Sequence, residues 1–415
     1  MDAPNHILQS VVGIRTLNLN RPPAAVSRPW RKPPCCLRYL LFHPLRCLVL
    51  ALATATLLPA AAQAQAIQAW VQRYNGPGNG DDQAFALAVD ASSHVYVTGS
   101  SYVGRDAEDE DYVTIKYSSA GVPVWTNYYH NEADRANAIA VDAADNVFVT
   151  GLPRSGGSAD FLTIKYSSGG AGLWTNRYTP GIGGEVLAVD ASGNVVVAGR
   201  GPSGCTTVQY SGAGALLWAR DDSLGLPANT AQSKTTMTVD TFGNVAVTGH
   251  SQSSPGDYLT IKRSSAGALL WTNGYNGPGN SYDRYTHVAV DASGNLFVTG
   301  QSASMSDYPY NYDYATIKYS SAGVPLWTNR YDGPANGEDG AEAIVVDALG
   351  GVYVTGFSWN GANYDYATIK YSSTGVPLWT NRYSGPGNSH DVPRAVALDA
   401  NGNVYVTGMS AGDYA

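Results

Sequence analysis

Cysteine, methionine and phenylalanine are scarce: the 415 residues hold 4, 4 and 7 of them. Three of the cysteines (Cys35, Cys36, Cys47) precede residue 48, so Cys205 stands alone in the rest of the chain. A lone cysteine excludes an internal disulfide and a cysteine-built metal centre from residues 67–415, and stability there must come from packing. No H-E-x-x-H pair occurs, and His94, His130, His250, His287 and His390 lie scattered, which argues against zinc. The G-x-S-x-G spacing occurs once, at 408–412, outside any strand-to-helix pattern, so it reads as no nucleophile elbow, and no Ser/His/Asp set can be singled out. The Gly-rich stretch GPGNG (76–80) carries no lysine and opens no helix, so it reads as a turn and not as a phosphate loop. Beyond residue 67 no segment keeps a helical period.

What is present begins with a leader-like segment. Seven basic residues fall between Arg15 and Arg46, followed by the apolar run LVLALATATLLPAAA from Leu48. Small-residue sites Ala62-Gln63-Ala64 and Ala64-Gln65-Ala66 come next. That order is the order of a secretory signal peptide, and the run is too short for a spanning helix. We expect residues 1–66 to be a signal peptide and residues 67–415 a domain that is secreted, periplasmic or on the cell surface, with no membrane span after cleavage. Without residues 1–64 the chain keeps 18 basic and 32 acidic residues, a formal −14 against −8 for the whole. Such a polyanion repels phosphate backbones, so nucleic acid is not an expected partner.

Two markers then recur. Trp70, Trp125, Trp174, Trp218, Trp271, Trp327 and Trp379 alternate with Asp90, Asp142, Asp190, Asp240, Asp291, Asp347 and Asp399, each aspartate ending a short apolar run. Seven interleaved pairs define units of about fifty residues. The sixth unit divides into AEAIVVD (341–347), GGVYVTG (350–356), DYATIKYS (365–372) and PLWTNRY (377–383), separated by Gly, Asn, Ser and Pro. The first of these, mostly apolar, is expected to be buried on both faces. Four short strands at this spacing predict an all-β fold, a seven-bladed β-propeller of four-stranded blades.

The phrases DYATIKYSSAGVPLWTNRY (313–331), YNGPGNGDD (74–82) and VDASGNVVVAG (189–199) resemble the SBBP-type β-propeller repeats of exported bacterial proteins. The resemblance implies a propeller scaffold over residues 67–415 and no shared reaction or ligand. The third unit, CTTVQYSGAGALLWARDD (205–222), departs from the pattern and is expected to be irregular. The first strand, QAWVQRY (68–74), matches the fourth strand of a unit, and residues 394–408 supply only the first two strands of a seventh. The expectation is therefore closure of an incomplete last blade by the N-terminal strand.

Two loop classes separate. The Val-Asp turns and the SSAGVP turns hardly vary, and Asp with Gly or Asn there is turn chemistry. The connections between second and third strands differ in every unit. They carry Tyr102, Tyr308, Tyr310, Tyr312, Trp359 and Tyr364, which are the candidate ligand-binding residues because aromatic faces on variable loops suit sugars. Asp106, Glu108, Asp109, Glu110 and Asp111 are weak calcium candidates, with ordinary solvated charge as the alternative. Lys116, Lys165, Lys262, Lys318 and Lys370, with Arg73, Arg177, Arg330 and Arg382, recur with the fold and read as edge-strand charges. The expected function is a non-catalytic, monomeric scaffold without cofactor that binds a cell-surface glycan or protein through one loop face. A polysaccharide lyase or hydrolase using loop-face carboxylates is the second reading, by fold analogy. A structural surface module, or a fragment of a larger adhesin, is the third.

Overall fold

A computed structural model describes residues 67–415, except 105–109, 131–133, 154–159, 226–235, 252–254, 307–310, 388, 411–412 and 415, together with the backbone of 10–15. The signal-peptide expectation otherwise lies outside these described residues. The chain divides into two units, Ser10–Arg73 and a larger one that takes in Tyr74–Ala415.

In the smaller unit Ile67–Arg73 pairs antiparallel with Ser10–Arg15. This corrects the expected closure. The N-terminal strand is hydrogen-bonded to an upstream segment, and the last sheet, built from Asp391–Leu398, Val404–Ser410 and Asp413–Tyr414, has three strands of its own. A strand needs a neighbour for its backbone N–H and C=O groups, and either partner would supply one.

The larger unit is all β. Successive antiparallel sheets follow the chain order, the first being Asp82–Val89, Val95–Tyr102, Glu110–Tyr117 and Pro123–Tyr129. The sixth is Asp339–Val346, Val352–Trp359, Tyr364–Tyr371 and Pro377–Tyr383. The Val-Asp aspartates shape the turns as expected. Asp190 Oδ1 accepts from Ser192 N and Asn194 N at 2.8 and 2.9 Å, and Asp347 does the same for Leu349 and Gly351.

Burial falls on the second and third strands, not on the first. Val352 and Val354 are fully buried, whereas the first strand of that sheet is half-exposed beyond Ala341. A first strand has a sheet neighbour on one side only, so apolar composition there does not mean two covered faces. The first strand also kinks, with a register shift between Ala341 and Ala343. The kink drives the Gly340 carbonyl toward Gly356, where a Cβ would stand 2.0 Å from that oxygen. Glycine in the V-T-G phrase is therefore a requirement of the bulge opposite.

Neighbouring sheets interlock. Ala367, Ile369 and Tyr371 of the sixth sheet pack on Phe297, Tyr314, Trp327 and Tyr331 of the fifth. Ile369 is 1% exposed, and truncating a residue so placed to alanine costs about 2–5 kcal/mol. The third sheet, expected to be irregular, is regular: Gly184–Val189, Val195–Gly201, Gly204–Tyr210 and Leu216–Asp222. Its substitutions are matched replacements. Gln209 takes the lysine's place and reaches Asp190 Oδ2 at 3.3 Å, and Arg220 takes the asparagine's place and donates to Gly267 O at 3.2 Å. Irregularity lies instead in the fourth sheet, whose first strand is divided into Leu224–Gly225 and Thr236–Val239.

Candidate functional site

The repeated lysines are not edge charges, whereas Arg177, Arg330 and Arg382 do lie on the outermost strand of their sheets. The third strand is central in its sheet, and Lys116, Lys165, Lys262 and Lys318 are buried. Lys262 Nζ lies 3.0 Å from Asp240 Oδ2 and donates to Gly294 O at 2.9 Å. Arg330 binds Ser302 and Asp313 of its own sheet and Tyr275 of the preceding one, and Arg382 repeats this with Ser358, Asp365 and Tyr331. These charges fasten one sheet to another. A residue that recurs once per unit at fixed spacing from the next turn carried that signal in the sequence.

The loop candidates divide. Tyr308, Tyr310, Asp106, Glu108 and Asp109 lie outside the described residues. Tyr312 is 5% exposed and its ring lies under the Arg284 guanidinium at 4.5 Å, so it is interior and not part of an exposed rim. Asp111 is 1% exposed and meets His130 Nδ1 at 2.6 Å, a partner that suits a structural carboxylate. Glu110 is half-buried and faces Tyr102 across the strand pair.

Tyr102 and Trp359 occupy equivalent places at the end of a second strand, each against a turn glycine. A Cβ on Gly80 would stand 2.2 Å from Tyr102 Cδ1, and one on Gly337 would stand 2.4 Å from Trp359 Cδ1. Only glycine leaves room for the ring, so GPGNG is a ring seat.

Around Trp359 the side chains converge. Tyr364 is its direct cross-strand partner, with ring centroids 5.3 Å apart, and Phe357 and His390 stand 4.9 and 5.0 Å from the same tyrosine ring. The Tyr364 hydroxyl donates to Glu338 Oε2 at 2.9 Å, and burial together with that carboxylate pushes its pKa up to about 12. The connecting loop is held by Asn360, whose Oδ1 accepts from Ala362 N and Asn363 N and whose Nδ2 reaches Asp365 at 2.9 Å. Sequence reasoning found Trp359 and Tyr364 but missed Phe357, Glu338 and His390, which come from three different segments.

Beneath this cluster Asp313, Asp332 and Asp339 bring carboxylate oxygens within 4.8 Å of one another. Such a set could offer a hard cation three ligands, although Arg330 already supplies a counter-charge to Asp313 at 2.8 Å. Burial, with the charges of Asp332 and Asp313 added, pushes the Asp339 carboxyl up to about 6. Asp339 is nevertheless fully buried, and its oxygens accept Gly333 N at 2.6 Å and Trp359 N at 3.2 Å. It holds the Trp359 backbone in place and presents no oxygen to an incoming substrate.

Residues 378–415 match the family model for SBBP, described as a beta-propeller repeat. No curated protein matches the sequence. Among solved structures, a chain of a mitotic checkpoint complex is similar over 96% of this chain and 98% of its own, at 12% identity and a TM-score of 0.51. Sqt1 of Chaetomium thermophilum bound to the N-terminus of the ribosomal protein L10 is similar over 76% and 78%, at 10% identity and a TM-score of 0.50. The WD40 beta propeller domain of Doa1 covers 79% and 90%, at 13% identity and a TM-score of 0.46. Among the described residues no helix is long and apolar enough to cross a membrane. The chain is thus an all-β protein of mostly four-stranded antiparallel sheets, and its last 38 residues are similar to a β-propeller repeat.

Proposed function

We propose that the chain is an exported, non-catalytic seven-bladed β-propeller scaffold that binds a glycan through its variable loop face, at the Trp359–Tyr364 cluster. The observation that carries this reading is a half-exposed pair of aromatic rings with a carboxylate and an imidazole beside them. Rings stack on the apolar face of a sugar while Glu338 and His390 are placed to meet its hydroxyls. The non-catalytic part is supported by Asp339, the carboxylate with the most displaced titration in the cluster, being sealed from solvent. Sqt1 with its bound ribosomal peptide supports the wider idea of a binding scaffold. A glycan array tests the proposal, with Trp359→Ala and Tyr364→Ala as variants. Retention of a glycan by the full chain and its loss in both variants is expected. No glycan retained, or retention unchanged in the variants, overturns it.

A further inference from the structure

The chain holds seven Asn-Gly pairs, beginning at Asn75, Asn79, Asn273, Asn276, Asn336, Asn360 and Asn401. Such a pair can react with itself, because no Cβ on the glycine shields its backbone nitrogen from the asparagine Cγ. The reaction needs the carboxamide and the following N–H to be free, and a hydrogen bond to either opposes it.

The fold ties most of these pairs. Gly76 N donates to Asp82 Oδ2 and Gly277 N to Asp283 Oδ2, both at 2.7 Å, and Gly402 N donates to Asp399 O at 3.0 Å. Asn75 and Asn276 are held at the side chain too, donating to Asn79 Oδ1 at 2.7 Å and Asn280 Oδ1 at 2.6 Å. Asn360 is bound through both ends of its carboxamide, to Ala362 N, Asn363 N and Asp365. Asn273 sits inside the strand Leu269–Tyr275, and its Nδ2 reaches Gly323 O at 2.6 Å. That contact belongs to a joint that recurs between sheets, in which Trp327, Asn329 and Lys318 likewise donate to the Ser373 and Gly375 carbonyls.

Asn79 and Asn336 differ from the rest. Both are exposed, at φ +50° and +49°, and each precedes the glycine that seats a ring, Gly80 under Tyr102 and Gly337 under Trp359. Asn79 keeps one restraint, the bond from Asn75 Nδ2. The residue in the place of Asn75 one seat later is Asp332, and a carboxylate has no N–H to give. Among the described residues neither the Asn336 carboxamide nor Gly337 N makes a hydrogen bond.

We propose that Asn336 and Gly337 form a self-modifying site. Gly337 N attacks Asn336 Cγ, and the new N–Cγ bond forms as the Cγ–Nδ2 bond breaks. The side-chain nitrogen leaves as ammonia, taking up the proton that Gly337 N gives up. Water then opens the succinimide ring at either carbonyl, to aspartate or to isoaspartate. Both products add a carboxylate next to Glu338, and isoaspartate lengthens the main chain by one carbon just before Gly337. The ring seat leaves no room for such a shift, since a Cβ on Gly337 would stand 2.4 Å from Trp359 Cδ1. The reaction therefore remodels the Trp359 seat with time, and it does so whether or not that cluster binds a glycan.

The test is peptide mapping by mass spectrometry of the full chain, kept warm at mildly alkaline pH, with amide loss read at all seven pairs in one sample. Conversion at Asn336 should run about tenfold or more ahead of Asn276 and Asn360, whose hydrogen bonds must break first. Asp332→Asn supplies the missing donor and should slow Asn336 about fivefold, toward the rate of Asn79. In concentrated urea, where the fold is lost, the seven rates should draw together. The urea comparison needs no variant, so the test stays decisive should Asp332→Asn fold poorly. Conversion at Asn336 no faster than at Asn360, or the same ranking kept in urea, overturns the proposal. So does an unchanged rate at Asn336 in folded Asp332→Asn.

Discussion

Trp327 and Gly375, in neighbouring sheets, are a matched pair: the indole lies flat under a glycine at φ +86°, and a Cβ there would stand 2.8 Å from the ring. The indole N–H completes the joint by donating to the Ser373 carbonyl. Trp327→Ala removes both ring and bond, and about 3 kcal/mol of stability should go with them. Trp379→Ala removes the same side chain where, among the described residues, no turn covers it, and should cost about 1 kcal/mol. Denaturant unfolding of both variants checks the difference, and equal losses would contradict the joint.

Lys262 and Asp240 form a pair about 1–2% exposed. Lys262→Met strands the carboxylate in the interior and should cost about 3 kcal/mol or more. Lys262→Gln should cost about 1 kcal/mol, because Gln209 already serves Asp190 in the third sheet. Hydrogen bonds from Asn244 and Lys262 outweigh burial and hold the Asp240 carboxyl below its usual range. Its folded pKa is thus depressed, so its contribution is present above about pH 4 and is lost as pH falls further. Urea midpoints of both variants at neutral pH, and of wild type through that acid range, read the two effects.

Asp339 titrates in the opposite sense. With a folded pKa of about 6 against 3.8 for an ordinary aspartate, it binds its proton more tightly when folded. Its contribution is therefore full below about pH 4 and falls away as pH rises through 6. Asp332→Asn removes an exposed charge that helps raise it, and Asn276 stands at the same repeat position in the preceding unit. The variant should gain about 0.5 kcal/mol at pH 7 and nothing at pH 4. Thermal melts across pH 4–8 compare the two proteins, and a gain that persists at pH 4 would contradict the assignment.

In five sheets a threonine of the second strand meets a threonine of the third, as Thr355 Oγ1 meets Thr368 Oγ1 at 2.9 Å. The third sheet has Ala198 opposite Thr207, whose hydroxyl is buried with no partner. Ala198→Thr should restore the pair and stabilise by about 1 kcal/mol. Ala198→Val, of similar size without the hydroxyl, should bring no gain. Unfolding midpoints of the two variants decide it.

The strands of this protein were legible because alternation, V-T-G and the Val-Asp turns are local patterns. Their roles were less so. Lys318 and Trp327 read as a strand charge and a spacing mark, since their partners lie 55 and 46 residues on, in another sheet. The apolar first strands suggested two buried faces, but exposure there is set by position in the sheet and not by composition. At the loop cluster Trp359 stood out as a tryptophan outside the repeat register, and Tyr364 as an aromatic on a variable connection. Glu338 and His390 did not, because only the turns before and after the sixth sheet bring them to Tyr364.

The joint built by Trp327, Asn329 and Lys318 has a direction: one sheet gives side-chain donors and the next gives turn carbonyls. Any copied unit therefore arrives with one face of each kind, already matched to whatever stands on either side. A tandem gene duplication of about fifty residues needs no compensating change to be accommodated. The near-identical phrases at 313–331 and 365–383 are what such a permissive grammar leaves in a sequence, a record of copying that packing had no cause to erase.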